Sequence, residues 1–485
     1  MINWKIIYKV LGSLLFIEAS LMLWCLLMAF CYEEDDFLAF AISLVATVFF
    51  GLMLRLVGRE ADNNLSRKEA YLVVTLSWIV FSFFGTLPFL ISGYITDFTD
   101  AYFETMSGFT TTGATIIDNV EVLPHGLLFW RSLTQWIGGL GIVFFTIALL
   151  PSMVGGSVKV FAAEVTGPIK AKLHPRLSVS AKWIWLVYLV LTAACTGSYM
   201  LFGMDWFDSI NYAMTTTATG GFATHNSSTE FFNSPVLEYT CAFFCFLSGI
   251  NFMLLYFSIA KMKIGRLFKN AEFKFYLLII LGFTAFIMAE LITCNGYDLE
   301  HAFRSGVFQV VSFITTTGLF NDDAARWPHV TWVILAACMF LGGCSGSTAG
   351  GLKAVRGVML LKTVRNEFRQ MLHPNAVLPM KINGTNVSQQ KRVTLLAYLT
   401  TYLALSLVIS FTMIAMGIDN TNAITITLSC LGNVGPTLGL EIGPTMSWSM
   451  LPAAAKWMCS AMMLIGRLEI FTVLVIFTPQ FWNKN

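Results

Sequence analysis

The sequence predicts an all-α polytopic membrane protein, in which two extra transmembrane helices precede four helix–re-entrant loop–helix repeats. Three observations support this fold class. The 485 residues are 56% hydrophobic and only 12% charged, whereas soluble domains carry roughly 25% charged residues. Apolar runs long enough to cross a bilayer recur along the chain. Four similar short segments, each reaching a glycine, lie between pairs of these runs.

The composition excludes several classes of protein. Charged side chains must cover most of a soluble protein, so an ordinary soluble enzyme or secreted domain is excluded. A net charge of +2 without a basic tail also argues against nucleic-acid binding. The ten cysteines form no Cys-x-x-Cys pair, the six histidines lack metal-ligand spacing, and enzyme motifs such as His-Glu-x-x-His are absent. We therefore predict neither an enzyme nor an organic cofactor.

Hydropathy predicts ten spans. The first run is too long for the apolar part of a signal peptide, so we expect a retained membrane helix. The runs cover residues 5–31, 37–57, 71–93, 128–150, 182–203, 236–260, 274–294, 328–361, 391–417 and 450–478. We divide the chain into a two-helix unit and four repeats, with bounds 1–68, 69–160, 161–265, 266–375 and 376–485.

Charge is sorted between the two sides of the predicted membrane. Of the 30 Lys and Arg residues, 25 lie on the side of the N-terminus. The positive-inside rule therefore places both termini in the cytoplasm. The basic residues on the other side are Arg131, Arg304, Arg326 and Lys456. The basic loops 151–182 and 362–392 could bind a cytosolic partner.

Most carboxylates lie on the outer side, 19 of the 28 acidic residues. They either raise the local concentration of cations or only reflect the orientation of the chain and keep its outer surface soluble. The sequence leaves both interpretations open.

The four short segments share one design. Each begins with an acidic residue suited to a helix N-cap and continues through ten to fourteen mostly apolar or small residues. The acidic residues are Asp97, Asp205, Glu300 and Asp419, and the glycines are Gly113, Gly220, Gly318 and Gly435. These segments are too short to span a bilayer and too apolar for solvated loops. Non-helical backbone at membrane depth must be buried in protein or line a water-filled path.

Such segments suit the binding of a cation. A short helix points its partially negative C-terminus inward, and a glycine with positive φ can turn carbonyl groups toward an axis. Four segments make a ring of carbonyl dipoles that replaces a water shell. With no charged ligand, the ring favours a large monovalent cation over magnesium or calcium. The predicted ligands are Thr111, Thr112, Gly113, Ala218, Thr219, Gly220, Thr316, Thr317, Gly318, Asn433, Val434 and Gly435.

The eighth apolar run contains five glycines between residues 342 and 351. Each glycine costs a helix about 1 kcal/mol relative to alanine, so we predict a flexible intramembrane loop beneath the ring. A kink that serves packing alone is the alternative. A nucleotide-binding Walker loop is disfavoured, because Gly350-Gly-Leu-Lys-Ala breaks its pattern. The loop residues are Gly342, Gly343, Cys344, Ser345, Gly346, Ser347, Thr348, Ala349, Gly350 and Gly351.

Arg467 lies within the last span, roughly 26 Å below its outer end at 1.5 Å per residue. An arginine at this depth is a functional candidate by default. It either faces the pore beneath the fourth segment or pairs with another helix. Glu469 lies about 200° away around the helix at 100° per residue, so we expect no direct pairing. We interpret Glu18 and Glu290 as structural.

On these motifs the chain resembles the TrkH/TrkG/KtrB superfamily of potassium transporters. The matching segments are Thr110-Thr-Thr-Gly113-Ala-Thr, Thr217-Ala-Thr-Gly220-Gly-Phe, Thr315-Thr-Thr-Gly318 and Gly432-Asn-Val-Gly435-Pro. The two extra N-terminal spans resemble the TrkH/TrkG branch. The resemblance implies a pseudo-fourfold, potassium-channel-like pore within one chain, with potassium bound as substrate at the predicted ligands.

The resemblance also implies a homodimer in a bacterial inner membrane, regulated by a cytosolic TrkA-type nucleotide-binding ring. The 342–351 loop would act as a gate, and Arg467 would raise the barrier to cations. One glycine per repeat, instead of Thr-Val-Gly-Tyr-Gly, implies that potassium and rubidium pass with weaker exclusion of sodium. Two functions remain open: a gated uptake pore, or a sodium- or proton-coupled potassium symporter with the same filter.

Overall fold

The computed structural model describes residues 2–61, 65–141, 177–260, 265–376 and 378–483. These residues are mainly helical, with one small hairpin in which β1 (Lys381–Ile382) pairs antiparallel with β2 (Thr385–Asn386). Asn383 and Gly384 connect the strands with φ of 50° and 82°, as a two-residue type I′ turn requires. The hairpin lies in the stretch predicted as a basic loop.

The two N-terminal helices, α1 (Trp4–Tyr32) and α2 (Phe37–Val57), pack closely along each other. A Cβ atom on Gly12 would lie 2.6 Å from the carbonyl oxygen of Gly51, so the two backbones approach through small residues, as in other membrane helix pairs. The exposed part of α2 is apolar, which suits contact with lipid. It includes Leu38, Ile42, Val45, Phe49, Leu52 and Leu56.

Each of four repeats has a long first helix, a short helix and a second helix. Repeat 1 contains α3 (Arg67–Gly85), α4 (Leu87–Ser92), α5 (Phe98–Phe109) and α6 (His125–Leu140). Repeat 2 contains α7 (Leu177–Leu201), α8 (Trp206–Ala218), α9 (Pro235–Ser248), α10 (Phe252–Ala260) and α11 (Gly265–Lys269). Repeat 3 contains α12 (Ala271–Asn295), α13 (Leu299–Ile314), α14 (His329–Leu341) and α15 (Ala354–Leu372). Repeat 4 contains α16 (Gln389–Ala415), α17 (Asn420–Gly432), α18 (Ala453–Arg467), α19 (Phe471–Leu474) and α20 (Pro479–Trp482).

Long apolar helices confirm the polytopic architecture. Among the described residues, six helices are long and apolar enough to cross a membrane, or up to eight if each of two bent pairs is one span. The count is below the ten predicted because the second helices are short before they break. The predicted 328–361 span contains the 13-residue helix α14, and the end of the predicted 128–150 span lies outside the described residues.

The second helices of repeats 2, 3 and 4 are interrupted, whereas the prediction identified only the third, and in repeat 1 the described residues stop where α6 ends. Helix α6 ends at Gly141, which has φ of 90°. The axes of α9 and α10 differ by 103°, and those of α18 and the segment 471–477 differ by 106°. Residues 342–353 separate α14 from α15. An interrupted second helix is therefore shared by repeats 2, 3 and 4.

Two clusters of buried apolar side chains support the repeats. The first joins α1 to repeats 1 and 4, with Trp78, Trp130 and Trp448 fully buried. The second fills repeats 2 and 3, around Tyr276 and Trp327. The helices that precede the site are packed into these clusters: α5 and α17 into the first, α13 into the second and α8 into both. The site described below is therefore surrounded by close-packed side chains.

Candidate functional site

The four short helices α5, α8, α13 and α17 are capped by aspartate. In each, side-chain oxygens accept hydrogen bonds from backbone N–H groups of the first turn, which satisfies donors that a helix leaves free. The caps are Asp97, Asp205, Asp298 and Asp419. The prediction of Glu300 as the cap of the third short helix was therefore wrong, because the cap is Asp298, two residues earlier. Glu300 lies in the first turn of α13 and pairs with Arg304 at 3.1 Å.

The short helices also end in one shared backbone motif. The first residue of the motif is left-handed, with φ between 53° and 56° at Thr111, Thr219, Thr316 and Asn433. The next N–H donates to the carbonyl five residues earlier, at 2.8–3.0 Å, from Thr112, Gly220, Thr317 and Val434. This bond is the 6→1 bond of a Schellman ending. A glycine with φ of 78–99° follows at Gly113, Gly221, Gly318 and Gly435.

The motif changes the predicted register in repeat 2. Gly221 occupies the place of Gly113, and Gly220 occupies the place of Thr112. Ala218, predicted as a ligand, is the last residue of α8. The sequence has two adjacent glycines here and spacing cannot choose between them, whereas only Gly221 has the positive φ of the motif.

The four motif glycines form a closed ring, which we call the glycine ring. A Cβ atom on Gly435 would lie 2.5 Å from the carbonyl oxygen of Thr112 in repeat 1. The equivalent atom on Gly113 would overlap the carbonyl of Gly220, on Gly221 that of Thr317, and on Gly318 that of Val434. Each repeat thus contacts the next, and repeat 4 contacts repeat 1. Each ring glycine therefore lies against a carbonyl group of the neighbouring repeat, where a side chain does not fit.

A cavity on one side of the ring, which we call the vestibule, is lined by the ring glycines, Asp118 and His225 among others. Hydroxyl hydrogen bonds from Ser447 and Ser449 lower the pKa of Asp118, so it stays ionised. His225 lies 3.0 Å from Asp208 and 3.6 Å from Glu121. Carboxylates in a vestibule wall favour the approach of cations.

Ion pairs join the short helices to second helices. Arg131 on α6 pairs with Glu104 on α5 at 2.9 Å and donates to the carbonyl of Ala223 in repeat 2 at 3.0 Å. Arg304 pairs with Glu238 at 2.8 Å, and Lys456 pairs with Asp100 at 2.6 Å. None of these pairs was predicted from the sequence. The available signal was that Arg131, Arg304 and Lys456 belong to the few basic residues on the acidic side.

The segment 342–353, which we call the interrupting loop, contacts the ends of three short helices. Gly351 donates its backbone N–H to the carbonyl of Gly432 at 2.9 Å, and Gly350 donates to the hydroxyl of Thr316 at 2.7 Å. The hydroxyl of Thr348 donates to the carbonyl of Thr217 at 3.0 Å. The loop therefore lies at the C-terminal ends of the short helices, beside the glycine ring.

The interrupting loop is held at both ends by Glu272, which lies at the start of α12. One oxygen of this buried carboxylate accepts from the N–H of Ser345 at 2.5 Å and from that of Val355 at 3.2 Å. The backbone N–H of Cys344 donates to the carbonyl of Gly249 at 2.9 Å. Lys353, not singled out from the sequence, is buried in the loop and donates to the carbonyl of Ala349.

Arg467 joins the interrupting loop to repeat 1. Its guanidinium donates to the carbonyl of Thr348 at 3.0 Å and to those of Gly138 and Gly139 at 2.5 and 2.6 Å. Glu469 pairs instead with Arg356 at 2.6 Å. Arg467 thus connects repeat 4 with the interrupting loop and with the end of α6.

The two carboxyls interpreted as structural lie outside this arrangement. Glu18 is buried on α1, and Glu290 on α12 accepts from Cys294 at 3.5 Å.

The model of the TrkH family, described as cation transport proteins, matches residues 38–484. The chain belongs to this family. It is 35% identical over 482 residues to the Trk system potassium uptake protein TrkH of Halomonas elongata, covering 99% of each chain. It is 35% identical over 487 residues to TrkH of Escherichia coli strain K12, covering 99% of this chain and all of the relative. A crystal structure of the potassium transporter TrkH from Vibrio parahaemolyticus matches with a TM-score of 0.90, 32% identity and coverage of 99% and 100%.

Membership of the TrkH family confirms three predictions: the family resemblance, the helical polytopic fold and a transporter rather than an enzyme. The TrkH-family chain is accordingly a multi-pass membrane protein. The roles of the individual ring and loop residues are separate questions.

Proposed function

We propose that this protein takes up potassium across the cytoplasmic membrane through a pore on the axis of the glycine ring. The closed ring of carbonyl contacts carries the proposal, since it joins all four repeats around one axis. The relatives named above are potassium uptake proteins or a potassium transporter. The chain aligns with them over almost its full length, which supports the same substrate here.

In this proposal, backbone carbonyls replace the water shell of a monovalent ion. Potassium and rubidium pass. Sodium passes less readily, because the smaller sodium ion holds its hydration water more strongly. The motif of each repeat contributes three residues, with the register of repeat 2 shifted by one. The proposed ligands are Thr111, Thr112, Gly113, Thr219, Gly220, Gly221, Thr316, Thr317, Gly318, Asn433, Val434 and Gly435.

The interrupting loop and Arg467 form the proposed gate. The loop contacts three short helices beside the ring, so its displacement would change the path directly below the carbonyls. Arg467 adds a positive charge to the same place, which opposes the passage of cations. Opening therefore requires that the loop and the arginine move together.

The vestibule is the outer mouth in this proposal, and both termini are cytoplasmic. The excess of Lys and Arg on the side of the N-terminus supports that orientation. We further propose a homodimer in a bacterial inner membrane and a cytosolic TrkA-type nucleotide-binding ring. Such a ring would bind basic loops and shift the gate. The five-unit division of the chain proposed from the sequence is retained, with the repeats as the pore.

Cation flux through the purified protein in liposomes tests the proposal. A potassium gradient alone should drive potassium and rubidium flux that exceeds sodium flux. Flux that requires a sodium or proton gradient would identify a coupled symporter instead. Silence under every gradient, even with the cytosolic partner added, would contradict both functions.

Two glycines with the same φ of 99°, Gly435 and Gly203, provide a matched pair of variants. The positive φ strains alanine at both positions, but a Cβ atom on Gly203 meets nothing within 4 Å. We expect Gly435→Ala to reduce potassium flux at least tenfold and Gly203→Ala to keep it. Equal losses in the two variants would attribute the effect to backbone strain rather than to the ring.

A further inference from the structure

Repeat 2 differs from the others at the residue before its ring glycine. Thr112, Thr317 and Val434 have side chains there, whereas Gly220 has none. A residue of repeat 1, Gln135, occupies the space that a side chain at position 220 would fill. A Cβ atom on Gly220 would overlap the side-chain amide of Gln135, a fully buried residue of α6.

The Gln135 amide is hydrogen-bonded on both sides of the ring glycine. Its nitrogen donates to the carbonyl of Gly220 at 2.8 Å, and its oxygen accepts from the N–H of Phe222 at 3.1 Å. A carbonyl only accepts and an N–H only donates, so the two partners fix the orientation of the amide. The Gly220 oxygen keeps a second lone pair, which remains for an ion.

Repeats 1 and 3 support the same position with hydroxyl groups of their own, and repeat 4 has the buried side chain of Val434 there. The hydroxyl of Thr112 bonds with that of Thr110 at 2.9 Å and accepts from the Asn433 amide at 3.0 Å. The hydroxyl of Thr317 bonds with that of Thr315 at 2.8 Å. In repeat 2 the corresponding residues are Gly220 and Ala218, and neither carries a hydroxyl.

We propose that Gln135 is a positioning residue for ion selection, which supplies from repeat 1 the side-chain support that repeat 2 lacks. The inference rests on the proposed function, because the Gly220 carbonyl matters only if the ring binds the ion. Holding that carbonyl reduces its rotation. A mobile carbonyl adapts to smaller ions, so loss of the amide should weaken the exclusion of sodium more than it slows potassium.

Reciprocal substitution tests the inference by potassium and sodium flux in liposomes. Gly220→Ala should lose most flux, because its methyl group overlaps Gln135, although φ at Gly220 is not positive. Gln135→Ala should lower the potassium-to-sodium ratio several-fold. The double variant should recover potassium flux relative to Gly220→Ala while keeping the low ratio. Ser132→Ala is the control, since that buried hydroxyl on α6 donates to the Leu128 carbonyl of its own helix.

Two results would overturn the inference: a double variant no better than Gly220→Ala, or a wild-type ratio in Gln135→Ala. If Gln135→Ala fails to fold, Gln135→Glu keeps the shape but replaces the donor to Gly220, and it should also lower the ratio. Failure of the proposed function is distinguishable, because wild-type protein would then show no potassium-selective flux. Selective wild-type flux that Gln135 does not influence refutes this inference alone.

Discussion

The guanidinium of Arg467 in repeat 4 donates to the carbonyl oxygen of Thr348 in repeat 3 at 3.0 Å. The same side chain donates to the carbonyls of Gly138 and Gly139 in repeat 1. The positively charged side chain of Arg467 therefore holds the interrupting loop and links it to the end of α6. A hydrogen-bonding role and an electrostatic role coincide in this residue, and substitution can separate them.

Arg467→Ala should raise potassium flux several-fold, because it removes both the positive charge and the hydrogen bonds to the loop. Arg467→Lys keeps the charge but loses the planar guanidinium that reaches several carbonyls. Its flux should therefore lie between that of the wild type and that of Arg467→Ala. Rubidium efflux from liposomes measures both. Arg369→Ala, at an exposed site on α15, is the control. Lower flux in a well-folded Arg467→Ala protein would refute the gate role.

Glu272→Ala should also raise flux, since it releases both ends of the interrupting loop from one carboxylate. Each hydrogen bond contributes about 0.5–1.5 kcal/mol, and about 1.4 kcal/mol corresponds to a tenfold change in a population. Glu272→Gln keeps an accepting oxygen and should have a smaller effect. Hydrogen exchange of residues 342–353 should increase in the alanine variant. Glu367→Ala, at an exposed site on α15, is the control. Unchanged hydrogen exchange in Glu272→Ala would show that Glu272 does not hold the interrupting loop in place.

Features that depend on hydropathy and local capping were predictable from the sequence. The four repeats and three of the four aspartate caps follow from patterns a few residues long. The third cap was missed because Asp298 and Glu300 are both acidic, and only the backbone shows that α13 begins after Asp298. The register of repeat 2 was missed because Gly220 and Gly221 are adjacent. In the fold they have different neighbours from distant parts of the chain: Gly220 contacts Gln135, and Gly221 contacts the carbonyl of Thr317.

Tertiary contacts account for the remaining differences. The break after α9 occurs at residues 249–251, within a stretch whose average hydropathy remains high, so averaging over a window predicts one span there. The interrupting loop was predicted from its glycines, but its hydrogen bonds to Glu272 and Thr316 carry no local signal. A Cβ atom on Gly350 would overlap the Gly432 carbonyl. Alanine at Gly350 would therefore test packing as well as stiffness, and Glu272 offers the cleaner experiment.

Glu104→Ala should destabilise the protein by about 3–5 kcal/mol, because it leaves the buried guanidinium of Arg131 without its carboxylate. The side chain of Arg326 is 82% exposed and pairs with Asp323 at 3.3 Å. Such surface pairs contribute about 0–1 kcal/mol, so Arg326→Ala is the control. Thermal unfolding in detergent compares the two. Similar midpoints for both variants would show that the buried pair does not support the fold.

The last prediction concerns the stability of the vestibule as a function of pH. Burial lowers the pKa of His225, but the hydrogen bond and negative charge of Asp208, with the charge of Glu121, raise it more, so the net shift is upward. A raised pKa in the folded state means that the protonated ring contributes stability below the unfolded value of about 6.5. That contribution is lost as the pH rises through the folded value.

The unfolding temperature of the wild-type protein should therefore fall between pH 6 and pH 8.5 by more than that of His225→Gln. The difference between the two proteins is the readout, because other groups titrate equally in both. His329→Gln, at an exposed site on α14 where the ring stacks on Trp332, should keep the wild-type pH profile. Parallel profiles for wild type and His225→Gln would mean that the histidine gains nothing from Asp208 and Glu121, and that the vestibule wall is held by other contacts.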